Sequence, residues 1–405
     1  MINARRNLLV ILFATALQSI AFGIYETSLP LFLEHLGISL ISMGVIFGIS
    51  QVGMLGIRFL VGSKSDTQGR KPFYSASLGL SAATLGLLPL IPHAAAIAFI
   101  KTLRDMAGVM HDVIRSVVVY EQAGAKFIRW IGRVDGSVFI FMAVGAVSAG
   151  ALITGAGYIL TFVVAGFFSF LAFLVILKGY REAARVPSAK APKTSIKELL
   201  QFDLPAELWK VTASNFVINL GVACSHSFYM LLFFKDKFGF SIPVLGTIQM
   251  LHRLSLGIPI IFAAQLMDKE GFKRHYRTLF VVAIAAQGLC LSCSALIPNA
   301  ILATSIFLIH DIVGATVWSP INSMFIQTRA RSHRRGHDVA MVTGLSALGF
   351  ILGPLLAGFL AGNLGWRDGP FFVSGVISAA GGLLILRLRS MSPEMVHAET
   401  DTETS

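Results

Sequence analysis

Six ionisable side chains, Lys101, Arg104, Asp105, His111, Asp112 and Arg115, interrupt one otherwise apolar run. At about 100° per residue they fit an arc of roughly 120° on a helix. Several chemistries are open to such a stripe. Asp105 beside Lys101 and Asp112 beside Arg115 could neutralise each other as packing pairs. Arg104 and Arg115 could hold a carboxylate or phosphate. Asp105 and Asp112, with Glu26 and Asp311 elsewhere, are acids able to pass a proton through an apolar region. His111, His226, His310, Asp105, Asp112 and Asp311 are also donors suited to a transition metal such as iron.

Other apolar runs carry sparser polar residues. Gln18 and Glu26 lie in the first, and Asn215, Asn219 and His226 share one helical face. Asn215, Asn219 and His226 are expected on the substrate pathway, although interhelical hydrogen bonds alone could explain the two asparagines. His310, Asp311 and Asn322 lie in a later run, and of His252 and Arg253 the arginine is the expected cavity residue. Lys101, Arg104, Arg115 and Arg253 balance Glu26, Asp105, Asp112 and Asp311, so charge does not name a substrate. No metal site is assigned, and no cofactor is expected.

The elements that must position these groups are membrane helices. Mean hydropathy is +0.74 and only 13% of the 405 residues are charged, against roughly 25% in soluble domains. Twelve apolar runs are long enough to cross a bilayer as helices, near 8–32, 38–61, 73–91, 95–118, 136–157, 159–178, 210–234, 242–266, 277–297, 300–326, 338–361 and 369–390. The alternation of barrel strands is missing. Arg5 and Arg6 precede a run too long for a signal peptide and without a clear cleavage site. Cys224, Cys290 and Cys293 all fall within runs, so no disulfide framework is expected.

The net charge of +12 could suggest nucleic acid, but its placement argues otherwise. Most Lys and Arg residues fall in alternate loops, which orients both termini to the cytoplasm. The partners expected are the lipid bilayer and a small-molecule or ion substrate, with no nucleic acid, and the protein is expected to be a monomer. The expected location is a bacterial inner membrane or one derived from it.

Internal repetition gives the organisation. Asp66, Gly69 and Lys71 recur as Asp268, Gly271 and Lys273 at an offset of 202, and Arg104, Asp105 and Gly108 as His310, Asp311 and Gly314 at 206. The glycine-rich stretch from Gly145 pairs with that from Gly349. Two related halves are expected: 1–178 and 210–390, joined by a polar cytoplasmic linker, 179–209. An acidic tail, 391–405, lacks apolar periodicity and is expected to be disordered.

The stretch GSKSDTQGRK, Gly62 to Lys71, resembles the loop signature G-x-x-x-D-x-x-G-R-K of the major facilitator superfamily. Arg104 with Gly108 is similar to that family's fourth-helix R-x-x-x-G. The resemblance covers the whole chain. It implies an all-α membrane protein of twelve transmembrane helices in two parallel six-helix halves, with runs 1, 4, 7 and 10 lining a cavity and runs 3, 6, 9 and 12 facing lipid. It also implies a conformational latch of Gly62, Asp66, Gly69, Arg70 and Lys71, in which Asp66 faces the start of helix 11 and Arg70 pairs with an acid near the end of helix 4. Glu121 is the candidate acid.

The function expected is secondary transport by alternating access, with proton-coupled efflux of a drug-like compound or metabolite first. Uptake of a metal ion such as iron, or of an organic anion, is the alternative. The family's antiporter pattern G-x-x-x-G-P is missing from the fifth run, which weakens the efflux reading. No nucleotide-binding, serine-elbow or metalloprotease motif occurs, so an enzyme is not expected. A non-transporting membrane sensor or assembly protein is the reading from another class.

Overall fold

In the computed structural model, residues 2–123, 127–182, 203–267, 274–331 and 335–388 are described, with Phe272 besides. Among them there is no strand. The helices are α1 (Ile2–His35), α2 (Leu40–Gln68), α3 (Arg70–Leu87), α4 (Ala94–Ala123), α5 (Phe127–Gly179), α6 (Ala206–His226), α7 (Tyr229–Phe238), α8 (Ile242–Met267), α9 (Tyr276–Leu296), α10 (Ala300–Val313), α11 (Ala315–Arg329), α12 (Arg335–Gly358) and α13 (Gly369–Leu383).

Twelve crossings result among the described residues. α5 crosses twice, because Gly157 at φ 76° takes a backbone conformation that side chains resist and folds the helix into two arms. α6 and α7 form one crossing bent by 46°, and α10 and α11 form another, interrupted at Gly314. The sequence predicts both of these as continuous spans. α4 is long enough to cross but too charged to be recognised by hydropathy, unlike the nine helices that are.

Close packing repeats between halves. A side chain at Gly145 would collide with the Ile20 carbonyl of α1, and one at Gly349 with the Phe216 carbonyl of α6. Glycine lets both helix pairs approach to backbone contact. Large apolar side chains are left exposed on the second arm of α5 (Leu160, Val163, Phe167), on α9 (Val282, Leu289) and on α13 (Val376, Leu383), where lipid replaces water.

Apolar packing shows which end is closed. At the end away from the termini, one core joins the halves, with Leu29, Leu33 and Met43 packed into the same cluster as Phe228, Phe233 and Leu245. At the terminal end each half keeps its own core, around Tyr74 and Ile114 in one and Phe280 and Phe325 in the other. The halves thus share one apolar core at the far end and keep separate cores at the terminal end. The linker from 183 to 202, the tail, and Asp268, Gly271 and Lys273 lie outside the described residues.

Candidate functional site

The N-terminal half contributes fixed charge. Lys101 and Arg104, on successive turns of α4, both contact Asp105: Lys101 Nζ bonds its Oδ2, and Arg104 Nη1 lies 3.2 Å from its Oδ1. Lys101 also donates to Ser50 Oγ at 2.8 Å, and the Tyr25 hydroxyl lies 3.4 Å from Asp105 Oδ1. All three α4 charges are buried. The Arg104 guanidinium sits 4.3 Å from the Phe22 ring and 4.2 Å from the Tyr25 ring, and its Nε has no partner. Gly108 lies one turn on, where a Cβ would make ordinary contact with Nη1 at 3.7 Å.

Toward the terminal end the stripe becomes wet. His111 Nδ1 and Arg115 Nη1 lie 3.2 and 3.3 Å from Asp112 Oδ1, and Arg115 Nη2 reaches Asp135 at 3.3 Å. The Asp112 side chain is 63% exposed. Arg104, Asp105, His111, Asp112 and Arg115 line one cavity of about 320 Å³ between the halves.

The C-terminal half contributes imidazoles. His226 Nε2 and His310 Nε2 lie 3.0 Å apart. His310 Nε2 is 3.2 Å from Asp311 Oδ1, and His252 Nε2 is 2.8 Å from Asp311 Oδ2. These groups border a second cavity of about 250 Å³ that shares Glu26, Val222, His226 and Ser227 with the first. Across the divide, Glu26 of α1 pairs with Arg253 of α8 and accepts from Gln249 Nε2 at 3.3 Å.

This bundle with a charged cavity between two packed halves is matched in known proteins. The family model described as Major Facilitator Superfamily matches residues 11–347. The chain belongs to the major facilitator superfamily. It is a multi-pass membrane transporter of a solute.

Solved superfamily structures share the fold at low identity. A point mutant of the nucleoside transporter NupG superposes with a TM-score of 0.78 at 14% identity, covering 94% of this chain and 99% of that one. A bacterial homologue of the human lysosomal transporter Spinster, in an inward-facing and occupied conformation, gives 0.78 at 15%, covering 95% and 98%. The human organic anion transporter MFSD10 (TETRAN) gives 0.66 at 17%, covering 94% and 99%. No curated protein matches the sequence.

Within this superfamily frame, Arg70 Nη2 and Nε donate to Glu121 Oε1 at 3.0 and 3.2 Å, joining α3 to α4 inside one half. Gly69 turns the chain at φ 107°, and the Glu182 carboxylate accepts from the backbone N–H groups of Arg70 and Lys71 at 2.6 and 3.3 Å. An anion at a helix N-terminus is favourable there. Gly62 and Asp66 lie in the last turns of α2, outside the described side chains.

Two expected site residues stand away from the cavities. Asn219 Nδ2 donates to the Ser346 carbonyl of α12 at 3.0 Å, and Asn215, also buried, lines neither cavity. Of the three polar residues on this face of α6, only His226 lines the cavities. The reading of α8 changes too: Arg253 lines the second cavity, but so does His252, the residue not expected there from sequence. Tyr25, Phe22 and Ser50 gave no signal, since each is an ordinary membrane residue until Arg104 and Lys101 are placed against it.

Proposed function

We propose that this transporter carries a small organic anion together with a proton by alternating access. The observation that carries this is Arg104: a buried guanidinium resting against two aromatic rings, facing the cavity, with one carboxylate shared between it and Lys101. Two cations against one acid leave a positive excess in a low-dielectric site, and a carboxylate or phosphate on the solute would offset it. The aromatic faces suit a solute with a flat apolar part beside its charge.

Coupling follows from sharing. A solute anion draws at least one cation away from Asp105, and a buried carboxylate without its partner takes up a proton rather than stay charged. Anion and proton then bind with mutual reinforcement, which favours symport over the efflux first expected from sequence. The basic loops orient the terminal end to the cytoplasm, so the cavity in this state opens to the cytoplasm. Glu26, Asp112, Arg115 and His111 complete the proposed pathway. MFSD10, described as an organic anion transporter, is a likeness of fold only, and the anion assignment rests on Arg104.

The test is flux in proteoliposomes for a panel of aromatic and aliphatic carboxylates and organic phosphates. Accumulation driven by an imposed pH gradient is expected for at least one anion, with loss in Arg104→Ala and partial retention in Arg104→Lys. Asp105→Asn should keep anion exchange but lose gradient-driven accumulation. Anion flux indifferent to the pH gradient would sink the coupling, and flux confined to cations or neutral solutes would sink the anion.

A further inference from the structure

The imidazole cluster is not explained by anion transport. Three histidines from three different crossings, His226, His252 and His310, bring ring nitrogens within 4.8 Å of one another around the Asp311 carboxylate. His252, His310 and Asp311 are buried, and His226 is partly so. A packing role for one histidine needs no ligand, but two on one carboxylate with a third against them in a membrane protein is a donor set.

Outer contacts orient two of these donors, His310 and His226. His310 Nδ1 donates to the Phe307 carbonyl, which places the neutral ring's lone pair on Nε2, toward His226 and Asp311. The Ser225 hydroxyl lies 2.6 Å from His226 Nδ1 and 2.8 Å from the Ser374 hydroxyl, and in the tautomer in which it accepts from Nδ1, His226 Nε2 carries a lone pair as well. Two imidazole lone pairs facing each other at 3.0 Å repel unless a cation or a proton stands between them. Hydrogen bonds from the outer nitrogen to backbone or hydroxyl are the usual support of a metal-bound imidazole.

Distances and backbone agree. Ligands about 2.0–2.1 Å from a tetrahedral ion stand about 3.3 Å apart; three donor pairs here are 3.0, 3.2 and 2.8 Å apart, and the three imidazole donors lie within 4.8 Å of one another. His226 is the last residue of α6, at the 46° bend, and His310 and Asp311 lie in the last turn of α10, before the interruption at Gly314. Both helices therefore turn their C-terminal, electronegative ends toward the cluster. Interrupted membrane helices commonly present such ends to cations.

From these observations we propose that His226, His252, His310 and Asp311 form a binding site for a divalent first-row transition-metal ion. Three imidazoles and one carboxylate suit zinc, ferrous iron, cobalt or manganese better than calcium or magnesium, which prefer all-oxygen sets. The site opens onto the second cavity and through it onto the first, so an ion has a route from the terminal end. The proposal does not depend on the anion reading, since its ligands are on the other half.

The test uses the full chain without a polyhistidine tag, purified in detergent and stripped of metal, titrated with cobalt(II). Visible d–d absorption saturating at one equivalent is expected. His252→Ala and His310→Ala should each weaken it about tenfold or more, while His93→Ala, in an exposed loop, should not. If the alanine variants fail to fold, His252→Gln and the wild-type melting temperature with zinc and with chelator decide the matter. A cobalt titration without saturation, one unchanged in the His252 and His310 variants, or a melting temperature indifferent to zinc would overturn the site and leave the cluster a hydrogen-bonded chain.

Discussion

The two walls of the central cavity are built on the same frame and carry opposite kinds of polarity. In each half a glycine, Gly145 or Gly349, lets the fifth helix of its bundle press on the first. On that frame the N-terminal wall places Lys101, Arg104 and Asp105, already paired and buried on an unbroken helix. The C-terminal wall places imidazoles and one acid where two helices are interrupted. A guanidinium cannot give up its charge at any accessible pH, whereas an imidazole can be neutral. The N-terminal wall therefore keeps Arg104 charged and leaves proton uptake to Asp105, whereas the C-terminal wall can exchange a proton or a metal on its imidazoles.

The largest expected effect tests that difference directly. Asp105→Asn leaves two cations buried with one neutral amide and should cost about 3–5 kcal/mol of stability. Asp311→Asn removes a partner from histidines that can become neutral, and should cost about 1–3 kcal/mol. Thermal unfolding of both variants in detergent reads the gap, and equal losses would erase the distinction between the walls. Lys101→Met combined with Asp105→Asn should recover part of the first loss, because it removes the stranded ammonium.

The next effect tests the shared frame. Gly145→Val and Gly349→Val each drive a side chain into a facing carbonyl and should destabilise by a similar ~1–3 kcal/mol. A large loss in one half with none in the other, read by the same unfolding assay, would mean that the halves are not packed alike. The smallest effect concerns the terminal end. Arg70→Ala removes a pair whose acid, Glu121, has a 41% exposed side chain, and should cost ~1 kcal/mol or less. Cysteine accessibility at the terminal end would then stay close to wild type, because the Arg70 to Glu121 contact lies within one half. A strong change there would support the conformational latch expected from sequence.

Much of the fold was legible because membrane helices announce themselves by length and polarity. The Gly157 turn divides α5 between the fifth and sixth runs read from sequence, and the glycine pairing of 145 with 349 reappears as matching contacts. The α4 stripe was legible for the same reason, since residues on one helix obey a fixed angular period. The period told less on α6, where Asn219 shares a face with His226 but bonds Ser346. Position on a helix says nothing about which neighbour that face meets. The interruptions at His226 and Gly314 left no apolar gap, so hydropathy passed over them.

What the sequence alone determined is the membrane, the twelve crossings, the duplication and the charged fourth helix, because each depends on local composition or on spacing along one strand of chain. What only the tertiary structure decided is how those charges are shared. Arg253 meets Glu26 from 227 residues away, and His226, His252 and His310 meet around Asp311 from three helices. Such meetings depend on the angles and depths at which helices pack, which follow from the summed contacts of both halves. No window of sequence contains them.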